Sequence, residues 1–186
     1  MNHAAVAPLS LPAAEAMCAF AHDVARNATA HYDEWNEMVA SARHSVASLI
    51  GAHAKEIAFL KNTTDGIVAV AEGLDWRAGD NVVLANCEFP ANVYPWLNLE
   101  RKGVEIHWVD ESDGRLALDS YRAAMDNRTR VVSASAVQFH SGFRSDLAGL
   151  SEICKQYGAL FVVDGIQSVG ALPMNVESQG IDFMAA

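Results

Sequence analysis

Short strand-like runs, each separated from the next by a helix-patterned stretch, constrain this chain more than any other feature. Residues 82–85, Glu105–Val109, 131–137 and 160–163 are strand candidates, and the last run is apolar throughout. Between and before them the apolar period changes. Trp35, Met38, Val39, Ala42, Val46, Leu49 and Ile50 recur at helical spacing and predict an amphipathic helix ending near Gly51. Ile67, Val70, Ala71 and Leu74 predict a second helix, with Thr64 and Asp65 as cap candidates. Pro95 suits the start of a third, around Trp96 and Leu97. Asp119 and Ser120 open a short one around Tyr121, and Asp146 caps one that carries Leu147, Leu150, Ile153 and Cys154. Apolar strands separated by helices predict an α/β protein with a mostly parallel sheet and helices on both faces. Ligands of such sheets gather at the carboxyl ends of the strands. The residues that directly follow each run are therefore the candidates for chemistry.

Composition narrows the partners. The chain has 186 residues, 51% of them hydrophobic, which is enough to bury a core. A net charge of -10, with no cluster of Lys or Arg, argues against nucleic acid and against an anionic membrane surface. No apolar run approaches the ~20 residues of a membrane span, and the first residues lack the basic start of a signal peptide. Cys18, Cys87 and Cys154 are far apart and show no metal-ligand spacing. No metal is expected, and reduced thiols in a cytoplasmic protein are.

Four segments follow strand candidates or open helices. Asp164 ends an apolar strand in Val-Val-Asp-Gly-Ile-Gln-Ser. A buried carboxylate needs a partner. It either caps the next turn or serves as counter-ion to a protonated ring nitrogen or a metal, and Gln167 can reach the same space. Asn62-Thr63-Thr64-Asp65-Gly66 places two hydroxyls and free amides at a helix start, a natural phosphate site. No GxxxxGK[ST] or GxGxxG motif supports a nucleotide or dinucleotide instead. In Glu88-Phe89-Pro90-Ala91-Asn92-Val93-Tyr94-Pro95-Trp96, Phe89 either fills core or stacks on a flat heteroaromatic ligand. Gln138 and His140 follow the third run and could line a site.

Taken together, these segments resemble the class V aminotransferase and cysteine desulfurase family of fold-type I pyridoxal-phosphate (PLP) enzymes, in particular its isopenicillin-N-epimerase-like branch. The resemblance runs from Asn2-His3-Ala4-Ala5 to Asp182-Phe183-Met184. It implies PLP as cofactor, with Thr63 and Thr64 at the phosphate, Phe89 against the ring, Asp164 at the ring nitrogen and Gln167 at the ring hydroxyl. Gln138 is a further candidate, because Phe139 stands where many members have an Asn. It implies an amino-acid substrate, transaminase, lyase, desulfurase or epimerase chemistry, and a homodimer when intact. The phenylalanine at position 89 favours the branches other than desulfurase. Residues 1–30 are read as an N-terminal segment and 31–186 as part of a PLP-binding large domain. The family's Schiff-base lysine follows the Asp-Phe pair, and Lys55, Lys61, Lys102 and Lys155 do not match it. The expectation is a chain that stops before that lysine and before the small C-terminal domain, with a non-catalytic product as the alternative.

Overall fold

A computed structural model of the chain describes Ala4 and residues 7–186. The Asn-His-Ala-Ala start of the resemblance lies outside the described residues, apart from Ala4.

Five parallel strands form one sheet: β1 (Asn81–Ala85), β2 (Glu105–Val109), β3 (Thr129–Ser135), β4 (Leu160–Asp164) and β5 (Phe183–Ala185), in the order β2-β1-β3-β4-β5. Among the described residues six α-helices accompany them: α1 (Leu11–Asn27), α2 (Tyr32–Ile50), α3 (Thr63–Gly73), α4 (Tyr94–Leu97), α5 (Leu118–Ala124) and α6 (Leu147–Tyr157). Side chains alternate across each strand, and the core divides accordingly. Val82, Leu84, Val131 and Val162 pack on one face with Ile67 and Ala71 of α3 and Trp96 of α4. Val83, Ala85, Val132, Ala134, Phe161 and Val163 pack on the other with Tyr121 of α5 and Leu147, Leu150 and Ile153 of α6. Helices thus cover both faces, as the apolar runs require.

Several boundaries follow local chemistry. The second strand candidate is found at its expected bounds. Asp146 caps α6, its carboxylate accepting from the Gly149 amide, and α6 ends at Gly158 in the left-handed conformation (φ 67°). α3 is capped by Asn62, which accepts from the Asp65 amide, and Thr64 and Asp65 fall inside the first turn. β3 starts and stops two residues before the apolar run 131–137 does; Val137 leaves it for an isolated bridge with Arg144. α1 was not among the expected helices. Its alanine-rich sequence forms helix readily, but it buries no side chain, and Met17, Phe20 and Val24 on it stay exposed.

The strand order sets the site. β1 leads outward to β2, and the chain then returns to place β3 on β1's other side. The carboxyl ends of β1 and β3 therefore flank the point where the winding reverses, the place where such sheets open a crevice.

Candidate functional site

The turn after β1 places a carboxylate inside the protein. Glu88 is buried, and its carboxylate accepts four hydrogen bonds from the segments that follow β1 and from the end of β3 and its loop. Oε1 accepts from the Ser135 amide at 2.8 Å and from Gln138 Nε2 at 2.7 Å. Oε2 accepts from the Ser135 hydroxyl and from Asn92 Nδ2 at 3.1 Å. Asn92 Oδ1 in turn accepts from Ser133 Oγ at 2.6 Å and from Trp96 Nε1 at 3.2 Å. The network knits the ends of β1 and β3 to α4. It gives partners to Ser133 and Ser135, two polar residues on one face of β3.

Asp164 stands beside this network, because Ser135 and Asp164 are partners in the β3–β4 register. Its Oδ1 accepts from the Ile166 amide at 3.0 Å, which is the turn-capping role the sequence leaves open. Its Oδ2 is buried and has no hydrogen-bond partner among the described residues. A bare buried oxygen costs about 1–3 kcal/mol or more if charged, so it points to an absent donor. Burial, with the charge of Glu88 nearby, pushes the carboxyl up to about 6. The Ile166 amide pulls it partly back.

The other candidates gather around the same end of the sheet. Asp164 pairs with Ala185 of β5, and α3 crosses Ala185 at Gly66. A Cβ on Gly66 would stand 2.9 Å from the Ala185 Cβ, so glycine is what lets the first turn of α3 come this close. That approach brings Thr63 and Thr64 to the same end of the sheet, at the start of α3. Neither hydroxyl has a partner among the described residues. The Gln167 amide is likewise unpartnered and half-buried. Phe89 is 45% exposed and does not fill the core. It meets Phe139 edge-on, with ring centroids 5.1 Å apart, and Phe139 meets His140 in the same way at 5.3 Å. Gln138 is buried, its amide nitrogen used by Glu88 and its Oε1 unpaired. The site thus offers a lone carboxylate oxygen, an aromatic face, unpaired amides and a helix N-terminus with two free hydroxyls. Such a set suits a flat ring with a protonated nitrogen at one end and an anionic group at the other.

Residues 3–186 match the aminotransferase class V family. The chain belongs to the class V aminotransferase family. A probable cysteine desulfurase of Methanothermobacter thermautotrophicus is 34% identical across 100% of this chain and 48% of its own length. A cysteine desulfurase of Salmonella typhimurium is 34% identical over 79% of this chain and 38% of that protein. The class V chain therefore spans at most about half the length of these curated relatives. Among solved structures, a C-DES variant with glycine covalently linked to its PLP cofactor superposes with a TM-score of 0.88 at 25% identity, over 95% of this chain and 49% of that one. The apo cysteine desulfurase of Thermococcus onnurineus gives 0.73 at 30% identity, over 78% and 37%.

Two further features of the class V chain were not visible beforehand. A groove of about 1440 Å³ runs beside the site, between residues 51–60 and the β4–β5 edge. Asn62, Phe139 and Gln167 line it, whereas Asp164 and Phe89 are not among its walls. The loops after β1, β2 and β3 also bring Cys87, Glu111 and His140 together. These residues are too far apart in sequence for any short-range metal motif to find them. Burial, reinforced by the charges of Glu111 and Glu88, pushes the Cys87 thiol up to about 12, so it is protonated and no nucleophile.

Proposed function

We propose that this chain builds the cofactor-cradling part of a PLP-dependent enzyme that acts on an amino acid. The observation that carries the reading is the buried, partnerless Oδ2 of Asp164 at the carboxyl end of β4. A protonated pyridine nitrogen supplies the donor that this oxygen lacks, and its positive charge offsets two neighbouring acids, Asp164 and Glu88. The residues present therefore fit PLP.

In this reading Asp164 Oδ2 accepts the hydrogen bond from the ring nitrogen and keeps the proton there. Glu88 and Ser135 hold the strand end that presents Asp164. Phe89, braced by Phe139, covers one ring face and excludes water from it. Thr63, Thr64 and the free amides of α3 hold the phosphate, whose charge the helix N-terminus favours. The amide of Gln167, or the free Oε1 of Gln138, meets the ring hydroxyl. When bound, PLP supplies an electron sink for the amino acid's α-carbon. None of Lys55, Lys61, Lys102 and Lys155 is assigned as the lysine of covalent attachment, no residue here is assigned to the substrate carboxylate, and a homodimer is part of the same reading. The exposed apolar faces of α1 and α2 support the dimer. Three unpaired thiols, among the described residues, support a reducing, cytoplasmic setting.

The test is PLP binding to the full-length protein, followed by the cofactor's visible absorbance. Asp164→Asn and Asp164→Ala should each weaken binding at least tenfold. An analogue with carbon in place of the ring nitrogen should bind parent and variants alike. Equal PLP affinity and an unchanged spectrum in Asp164→Ala would sink the assignment. A second reading, release of sulfur from cysteine, is supported by the cysteine desulfurases among the relatives. Sulfide production from cysteine, compared with amino transfer to a keto acid, separates the two.

A further inference from the structure

The cluster of Cys87, Glu111 and His140 combines a soft thiol, an imidazole and a carboxylate, the donor types that select zinc and its neighbours among divalent ions. One ligand atom from each lies within 4.8 Å of the other two. Three loops contribute, after β1, β2 and β3, so the cluster is a product of the fold and not of one flexible segment.

The loops are tied before any ion arrives. Asn86 Nδ2 donates to Asp110 Oδ1 at 2.8 Å, and Asn86 Oδ1 accepts from the Glu111 amide at 3.1 Å. These two bonds fix Cys87 next to Glu111. Gln138 joins the β3 loop to Glu88 in the β1 loop, and the turn that carries His140 closes through Gly142 N to Gln138 O at 2.9 Å. Such outer contacts are what hold metal ligands in place. The carboxylate faces both other groups, pairing with the His140 ring and meeting the Cys87 thiol. Glu111 Oε2 is buried and lies 2.6 Å from His140 Nε2. Imidazole, carboxylate and thiol therefore converge on one point. A shared cation would draw on both of them and on the thiol.

We propose that Cys87, Glu111 and His140 form a site for a divalent transition metal of the zinc class, with a solvent molecule as fourth ligand. Thiolate and carboxylate together neutralise the ion's charge, and the proton of Cys87 leaves to solvent as the metal binds. The site is structural, since it clamps the loops after β1, β2 and β3. Through His140 against Phe139, and Phe139 against Phe89, it fixes the aromatic pair at the ligand site. It does not rest on the assignment of PLP.

The test is zinc titration of the full-length protein by calorimetry, with zinc K-edge X-ray absorption on the loaded protein. The expected result is one ion per chain, with a single sulfur at about 2.3 Å and nitrogen or oxygen ligands at about 2.0–2.2 Å. Cys87→Ser should remove the sulfur signal, and Glu111→Gln and His140→Gln should each weaken binding at least tenfold. Cys18→Ser, at an exposed thiol elsewhere, should change neither. No sulfur ligand in the parent, or an affinity unmoved by Glu111→Gln or His140→Gln, overturns the proposal. The two glutamine variants keep side chains of similar size, and an unchanged melting temperature without zinc shows that any lost binding is not lost folding.

Discussion

The helical hairpin of α1 and α2 and the parallel sheet use their apolar residues in opposite ways. β1 buries all five of its residues, and α1 buries none. α2 buries only Ala47 and Ile50, at the end where Ile50 O accepts from the Val176 amide. Leu11 is 71% exposed, and Met17, Met38 and Leu49 are exposed as well. The two helices meet near their connecting turn. There Phe20 packs edge-on against Trp35 at 5.1 Å, and Asp23 accepts from Asn27, from Trp35 and, at 2.8 Å, from the ring of His31. A polar clip fixes the turn while the long apolar faces stay open. Periodicity thus tells that a face is apolar, and it is equally clear in α2 and in α6. Only the fold tells which of them is covered within the chain.

The comparison predicts a wide gap in mutational cost. Trp96→Ala, in the packed face, should destabilise the protein by about 3–5 kcal/mol in chemical denaturation. Met17→Ala should stay within about 0.5 kcal/mol. A similar loss at both sites would mean that α1 is covered in the folded molecule.

Asp164 gives the next largest effect, with a sign opposite to a core truncation. Its carboxyl rises from 3.8 to about 6 on folding. Below about pH 4 it is protonated in folded and unfolded chains alike and contributes nothing. Between about pH 4 and 6 the folded chain holds a proton that the unfolded chain releases, so stability falls as pH rises. Above about pH 6 the full penalty stands, at most about 3 kcal/mol. Asp164→Asn should therefore stabilise the PLP-free protein at pH 8 and flatten its stability between pH 4 and 6. Loss of stability at pH 8 would show that Oδ2 has a partner in the folded chain.

Gly66→Ala tests the contact that joins α3 to the sheet. An alanine normally favours a helix interior. Here its Cβ would crowd Ala185, and a loss of about 1–3 kcal/mol is expected, with weaker PLP binding. A gain in melting temperature would place α3 further from β5 than described. Smallest in stability, but informative for assembly, is Val39→Asp on the open face of α2. Folding stability should move by less than about 0.5 kcal/mol, while self-association, read by sedimentation, weakens at least tenfold. Unchanged association would remove α2 from the proposed dimer interface.

Much of this arrangement was legible in the residues. An apolar run of four ending in Asp located both β4 and its carboxylate, because alternation and burial leave little choice for such a segment. Asp146 announced its helix by capping chemistry that acts over three residues. Glu88 was harder. It reads as a polar residue in a loop, and its donors Ser135 and Gln138 are 47 and 50 residues away. Two serines on one face of an apolar strand were the available signal. Thr64 and Asp65 were the expected caps of α3, but Asn62, a good cap by residue type as well, takes the position. The spacing of Met17, Phe20 and Val24 was the available signal for α1, and the Cys87–Glu111–His140 cluster exists only once three loops converge.

The separations that hid Glu88 also govern when it is made. During synthesis β1 emerges long before β3, its partner on the inner side, and the glutamate at its end waits in water with no donor in reach. Contacts that distant form late and slowly in folding. A nascent chain halted between these strands presents an open apolar strand edge, which is a target for chaperones and for aggregation alike. The acid that organises the site is thus also a timer: until residue 138 has left the ribosome, there is no crevice to fill.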